Sequence, residues 1–129
     1  MATHLKSSKN REAVLEVLKG TTIHPSADWI FEKMKEINPN IGIATVYRNL
    51  KTLLAQKEII KVDVGDGLDH YDAQTAIRHD HTYCTSCGAI GDIDAISASS
   101  LEKFAHDKFS VETYSLVLFG KCEKCQKGN

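Results

Sequence analysis

The 129-residue chain lacks any run close to the roughly 20 consecutive apolar residues that a membrane-spanning helix needs, so no such helix is expected. Residues 1–11 (MATHLKSSKNR) hold no apolar stretch that could serve as a secretory signal, which points to the cytosol. The chain has two prolines, one tryptophan and no low-complexity segment or internal repeat, which argues against linker-like, fibrous or solenoid architectures. Charge of one sign is also missing, since Lys and Arg number 16 against 17 Asp and Glu, for a net charge of −1. The balance is uneven along the chain. Residues 1–61 carry ten basic and six acidic residues (+4), and residues 62–129 carry six basic and eleven acidic ones (−5). A basic half suits contact with phosphates, and an acidic half suits something else.

With 42% hydrophobic and 26% charged residues the chain is an ordinary globular one. Ala13, Val14, Val17 and Leu18 form a helical stripe over 11–19 that Gly20 ends. Pro25 and Ser26 open a second helix that runs to about Ile37, where Asn38-Pro39-Asn40 stops it. Gly42 caps a third, whose buried stripe is Val46, Leu50, Leu53 and Leu54. The β-branched run 58–64, the turn Gly65-Asp66-Gly67 and the return through His70-Tyr71 read as a hairpin. Three helices and a hairpin within some 70 residues make the winged helix-turn-helix pattern, which presents its third helix to the major groove.

The expected fold is therefore α+β: a winged-helix DNA-binding domain over 1–72, and a small α/β domain over 73–129. A short link lies around 73–78. The second domain is expected to contain a strand near 89–93, a helix near 96–109 and a strand over 111–119.

Cysteine is confined to two C-x-x-C pairs, Cys84/Cys87 and Cys122/Cys125. Each pair places two thiolates on one tight turn, and two such knuckles supply a closed tetrahedral cage for structural Zn²⁺. The 34 residues between the knuckles exceed the usual zinc-ribbon spacing but hold the strand, helix and strand just named. Disulfides or a redox-active C-x-x-C are the alternatives. A reducing compartment and the lack of a thioredoxin-like context weigh against both.

His79-Asp80-His81 precedes the first knuckle; on a strand the two histidines face one side and Asp80 the other. With Asp72 and Asp92 on either side in sequence, and His24 as a further candidate, the set offers three imidazoles and two carboxylates, which suits Fe²⁺ or Mn²⁺ better than Zn²⁺. Periodicity alone does not bring His24 to the others. His4 is expected to be a solvated terminus, His70 a wing residue and His106 a helix-surface residue. In the third helix Arg48 is the expected base-edge reader, with Thr45, Tyr47 and Lys51 beside it; Lys6, Lys9 and Arg11 are expected phosphate contacts.

His24-Pro-Ser-Ala-Asp, Ala44-Thr-Val-Tyr-Arg-Asn-Leu50, Tyr71-Asp72, His79-Asp-His81-x-x-Cys84-x-x-Cys87-Gly88 and Gly120-x-Cys122-x-x-Cys125 together resemble the ferric uptake regulator (Fur) family, over almost the whole chain. The resemblance is nearest to the family's peroxide-responsive (PerR) branch, because the iron-sensing branch has glutamate where Asp72 stands. It implies a homodimer, with 73–129 as its C-terminal α/β dimerisation and metal-binding domain, that binds an AT-rich inverted repeat in double-stranded DNA and represses while metal is bound. It also implies a regulatory Fe²⁺ or Mn²⁺ on His24, Asp72, His79, His81 and Asp92, with His24 and His79 as targets of oxidation by hydrogen peroxide. The chain departs from the family pattern at Lys6, where an arginine is usual, at Thr113-Tyr114, where many members have two histidines, and at Arg78, where the iron regulator has histidine. The additional metal site of some members is therefore expected to be absent.

A family member that senses iron or manganese without peroxide is the alternative reading. A non-haem iron enzyme is disfavoured, because five protein ligands leave too little room for substrate and O₂. A zinc-stabilised module that does not bind DNA leaves Thr45-Val-Tyr-Arg in a recognition position unexplained.

Overall fold

The computed structural model describes residues 2–73 and 78–127 and, for residues 2–7, the backbone alone. The expected link around 73–78 thus lies mostly outside the described residues, as does the side chain of Lys6. The chain divides into two compact units, residues 1–77 and residues 78–129.

In the first unit α1 (Ala2–Lys19), α2 (Ala27–Ile37) and α3 (Ile43–Ala55) precede β1 (Ile60–Val62) and β2 (His70–Asp72). α1 begins well before the apolar stripe, because no proline or glycine interrupts residues 2–19; it stops at Gly20, whose N–H still bonds to Glu16 O. Ser26 caps α2 by accepting from Trp29 N, and Gly42 stands at the N-cap of α3 without a side-chain bond. Val14 and Leu18 of α1, Ile30 and Met34 of α2, Val46, Leu50 and Leu53 of α3, and Ile59 and Tyr71 close one core. Leu54, expected in that core, is only half-buried and packs against its edge, and the polar Asn49 of the same helix is buried. The end of α2 is tied to α1 where Asn38 Nδ2 donates to Asn10 Oδ1 at 3.1 Å.

β1 and β2 pair antiparallel, Ile60 opposite Asp72 and Val62 opposite His70. The turn between them uses left-handed Gly65 and Gly67, at φ 79° and 82°. The paired strands are shorter than the β-branched run 58–64, because β2 offers only three partners.

The second unit is a three-stranded sheet in the order β4-β3-β5, with β3 (His79–Cys84) in the middle, β4 (Ile90–Asp94) antiparallel to it and β5 (Val117–Gly120) parallel. Two short helices complete it, α4 (Ala98–Glu102) and α5 (Glu123–Lys127). The helix expected over 96–109 is cut to α4. Ser97 caps it by accepting from Ser100 N, but Phe104 and Phe109 beyond it are 69% and 61% exposed. Without burial of that stripe, propensity alone does not extend the helix. His106 accordingly lies outside any helix, in an exposed bridge with Phe109. The strand expected over 111–119 is likewise reduced to β5, which pairs only where it runs beside His81–Cys84. No described helix is long and apolar enough to cross a membrane.

Candidate metal centre

The parallel pairing of β3 with β5 sets Cys84 opposite Gly120, so the knuckle that ends β3 and the one that follows β5 meet at one end of the sheet. The four sulfurs lie within 4.8 Å of one another, with Cys87 Sγ 3.7 Å from Cys122 Sγ, and none is in a disulfide. A tetrahedral ion with Zn–S near 2.3 Å separates its ligands by about 3.8 Å, so this geometry fits a four-thiolate zinc site.

The first knuckle closes through Gly88, left-handed at φ 77°, whose N–H donates to Cys84 O at 2.8 Å. Backbone N–H groups of Cys122 and Cys87 donate to Cys84 Sγ at 3.3 and 3.5 Å. These donors hold the Cys84 thiol well below its ordinary range, at about 5. Cys125 is pushed up to about 12, chiefly by its contacts with the Cys122 and Cys84 sulfurs. Thiols crowded in this way resist joint ionisation until a cation compensates them, as a thiolate cage for a dication requires.

The histidines and carboxylates fall into two sets, one in each unit. In the first unit His24 is buried just ahead of α2, and its Nε2 lies 3.2 Å from Asp72 Oδ2 at the end of β2. Its φ of 57° is left-handed, a conformation costing a non-glycine residue roughly 1–2 kcal/mol. In the second unit β3 and β4 set His81 opposite Asp92. Asp92 Oδ1 lies 3.4 Å from His79 Nε2 and 3.5 Å from His81 Nε2, and the two rings meet edge to face at 4.8 Å. Alternation along β3 turns Asp80 to the opposite face, where it is buried and accepts from Tyr114 Oη at 2.8 Å and Ile96 N at 3.1 Å. Arg78 lies over the Tyr114 ring, 4.3 Å from its centroid. Asp80, Arg78 and Tyr114 thus form a hydrogen-bonded and stacked group of their own.

His70, expected as an ordinary wing residue, is buried. Its Nδ1 lies 2.8 Å from His24 O and its Nε2 2.7 Å from Asp66 Oδ2. Burial pushes the Asp66 carboxyl up, but the hydrogen bonds from His70 and Leu68 N–H outweigh it and hold the group below the usual carboxylate range. In the sequence His70 precedes Asp72 by two residues, and Asp66 precedes His70 by four across a glycine turn, spacings that do not by themselves single His70 out.

On α3, Tyr47, Arg48 and Lys51 are exposed and Thr45 is half-buried. Arg48 Nη2 donates to Thr45 Oγ1 at 3.0 Å. On α1, Lys9 is exposed and Arg11 half-buried, the latter donating to Ser8 Oγ at 3.4 Å.

The model of the ferric uptake regulator family matches residues 2–119. Over 126 residues the chain is 34% identical to the ferric uptake regulation protein of Bacillus subtilis, covering 93% of this chain and 85% of that one. It is 31% identical over 127 residues to the peroxide operon regulator of the same organism, covering 97% and 87%. The crystal structure of the Campylobacter jejuni peroxide stress regulator is similar at a TM-score of 0.75 and 32% identity, covering 96% of this chain and 94% of that one. The chain therefore belongs to the ferric uptake regulator family, whose members are metal-responsive transcriptional regulators and not enzymes.

Proposed function

We propose that this chain is a cytoplasmic, homodimeric repressor that senses hydrogen peroxide through its own histidine ligands. The observation that carries the peroxide reading is Asp72, 3.2 Å from His24, where the iron-sensing branch has glutamate. Relatives named for peroxide regulation in Bacillus subtilis and Campylobacter jejuni support it. The 34% identity to the Bacillus subtilis ferric uptake regulation protein favours the second reading, an iron- or manganese-responsive repressor without peroxide sensing.

In this reading Cys84, Cys87, Cys122 and Cys125 hold a structural Zn²⁺, and His24, Asp72, His79, His81 and Asp92 hold a regulatory Fe²⁺ or Mn²⁺. Three imidazoles and two carboxylates are the donor chemistry those ions prefer. An ion held by these donors favours the DNA-binding conformation by its differential affinity for it. Ferrous iron, when bound, would supply the redox chemistry by which H₂O₂ adds one oxygen to a ring carbon of a neighbouring imidazole and leaves as water, a net two-electron oxidation of the ring. His24 and His79 are the assigned targets. An oxygenated imidazole is a poor ligand, so the donor set loses its hold on the ion and DNA affinity falls. Arg48, oriented by Thr45, reads base edges beside Tyr47 and Lys51, while Lys6, Lys9 and Arg11 meet phosphates of an AT-rich inverted repeat. The second unit buries only Cys84 and Ile90 among its described apolar side chains and exposes Phe104, Phe109, Leu118 and Phe119, which supports a role for it in pairing two copies.

The test is peptide mass spectrometry of iron- and manganese-loaded protein after a brief peroxide pulse, read beside operator binding. One added oxygen on the His24 or His79 peptide of the iron form, with loss of binding, is expected. The manganese form should stay unmodified and bound. Oxidised cysteines with intact histidine peptides would replace this reading with thiol sensing, and no effect on binding would return the chain to metal sensing alone.

A further inference from the structure

The left-handed backbone of His24, at φ 57°, persists only where surrounding contacts over-determine it. Strand β2 supplies several of them. His70 Nδ1 lies 2.8 Å from the His24 carbonyl oxygen; a carbonyl only accepts, so Nδ1 carries a hydrogen and donates. Tyr71 N–H donates to Pro25 O at 2.9 Å, and Ser26 forms a β-bridge with His70. Two residues beyond His70, Asp72 meets the His24 ring at 3.2 Å, so alternate residues of β2 address the backbone and the imidazole of one histidine. The remaining nitrogen of His70 is 2.7 Å from Asp66 Oδ2, and Asp66 Oδ1 accepts from Leu68 N at 3.0 Å within the β1–β2 turn.

We infer that Asp66 and His70 form a positioning pair for the regulatory metal: the turn carboxylate fixes the His70 ring, which fixes the His24 carbonyl and with it the direction of the His24 imidazole. Neither residue belongs to the donor set, and both act through His24. Metal occupancy and the conformation of the β1–β2 turn are then linked, each biasing the other. The inference rests on His24 being a metal ligand.

It is tested by titrating the zinc-loaded, full-length protein with Mn²⁺, with free ion followed by electron paramagnetic resonance. His70→Leu, which removes the donor, is expected to weaken Mn²⁺ binding roughly 10- to 100-fold, the range for loss of an outer-shell partner. His70→Asn, whose amide offers a donor near the Nδ1 position, should restore most of the affinity. Zinc content and the unfolding midpoint of the manganese-free protein should match between these two variants. Unchanged affinity in His70→Leu, or equal loss in His70→Asn, overturns the inference. If His70→Leu does not fold, Asp66→Ala carries the test, with weakened Mn²⁺ binding expected and unchanged binding overturning it. His24→Ala separates the two levels: if it too binds Mn²⁺ normally, the ligand assignment fails; if it alone loses Mn²⁺, only the positioning pair does.

Discussion

Replacing Cys122 by serine removes one sulfur from a cage that joins the end of β3 to the segment after β5. The second unit has little else to hold it. Its described residues bury only Ile90 and Cys84 as apolar side chains; Cys84 belongs to the sulfur cage itself, and Ile90 is worth roughly 1.5–3 kcal/mol. A structural zinc contributes about 10–16 kcal/mol in small metal-organised domains, so the metal is the larger contribution and its loss should unfold this unit. The first unit keeps its own core of Val14, Leu18, Ile30, Met34, Val46, Leu50 and Leu53. It also holds the long helices: α1, α2 and α3 have 18, 11 and 13 residues, against five each in α4 and α5. Cys122→Ser should therefore lose zinc and run as a monomer by light scattering, yet keep most of its helical circular dichroism. Chelator-stripped wild-type protein should behave alike. A variant that retained about one zinc per chain and its dimer mass would refute the four-sulfur assignment. Loss of the helical signal along with the zinc would refute the energetic independence of the first unit.

Arg48→Ala should cost about 1–3 kcal/mol of discrimination between operator and unrelated DNA with metal content unchanged, whereas Lys9→Ala should weaken all DNA equally and flatten the salt dependence by about 0.9 in log–log slope; gel shifts across a salt series separate the two. Leu50→Ala, at a side chain 1% exposed in the helical core, should destabilise the first unit by roughly 2–5 kcal/mol in urea unfolding, without changing zinc content.

What the sequence alone determined was whatever is written in short range. The Ser26 cap, the stop at Asn38-Pro39 and the Gly65 and Gly67 turn each satisfy backbone groups a few residues away, and all appear in the fold. The two C-x-x-C pairs were readable for the same reason, because each knuckle is one turn of chain. So was the alternation that puts His79 and His81 on one face and Asp80 on the other.

Tertiary structure decided what depends on a distant partner. The periodic stretch after Ile96 shrinks to the five residues of α4, because a helix is extended by burying its stripe and Phe104 and Phe109 stay exposed. The stretch over 111–119 pairs only at Val117–Gly120, where β3 offers partners. Asn49 lies buried on a face whose period predicts apolar residues, a placement no local rule anticipates. His70 reads in sequence as one more polar residue of a hairpin. Only the folding of β2 beside the segment ahead of α2 places its ring nitrogens against a carbonyl 46 residues away and a carboxylate four residues away, because hydrogen-bond partners are chosen by distance in space and the sequence records only distance along the chain.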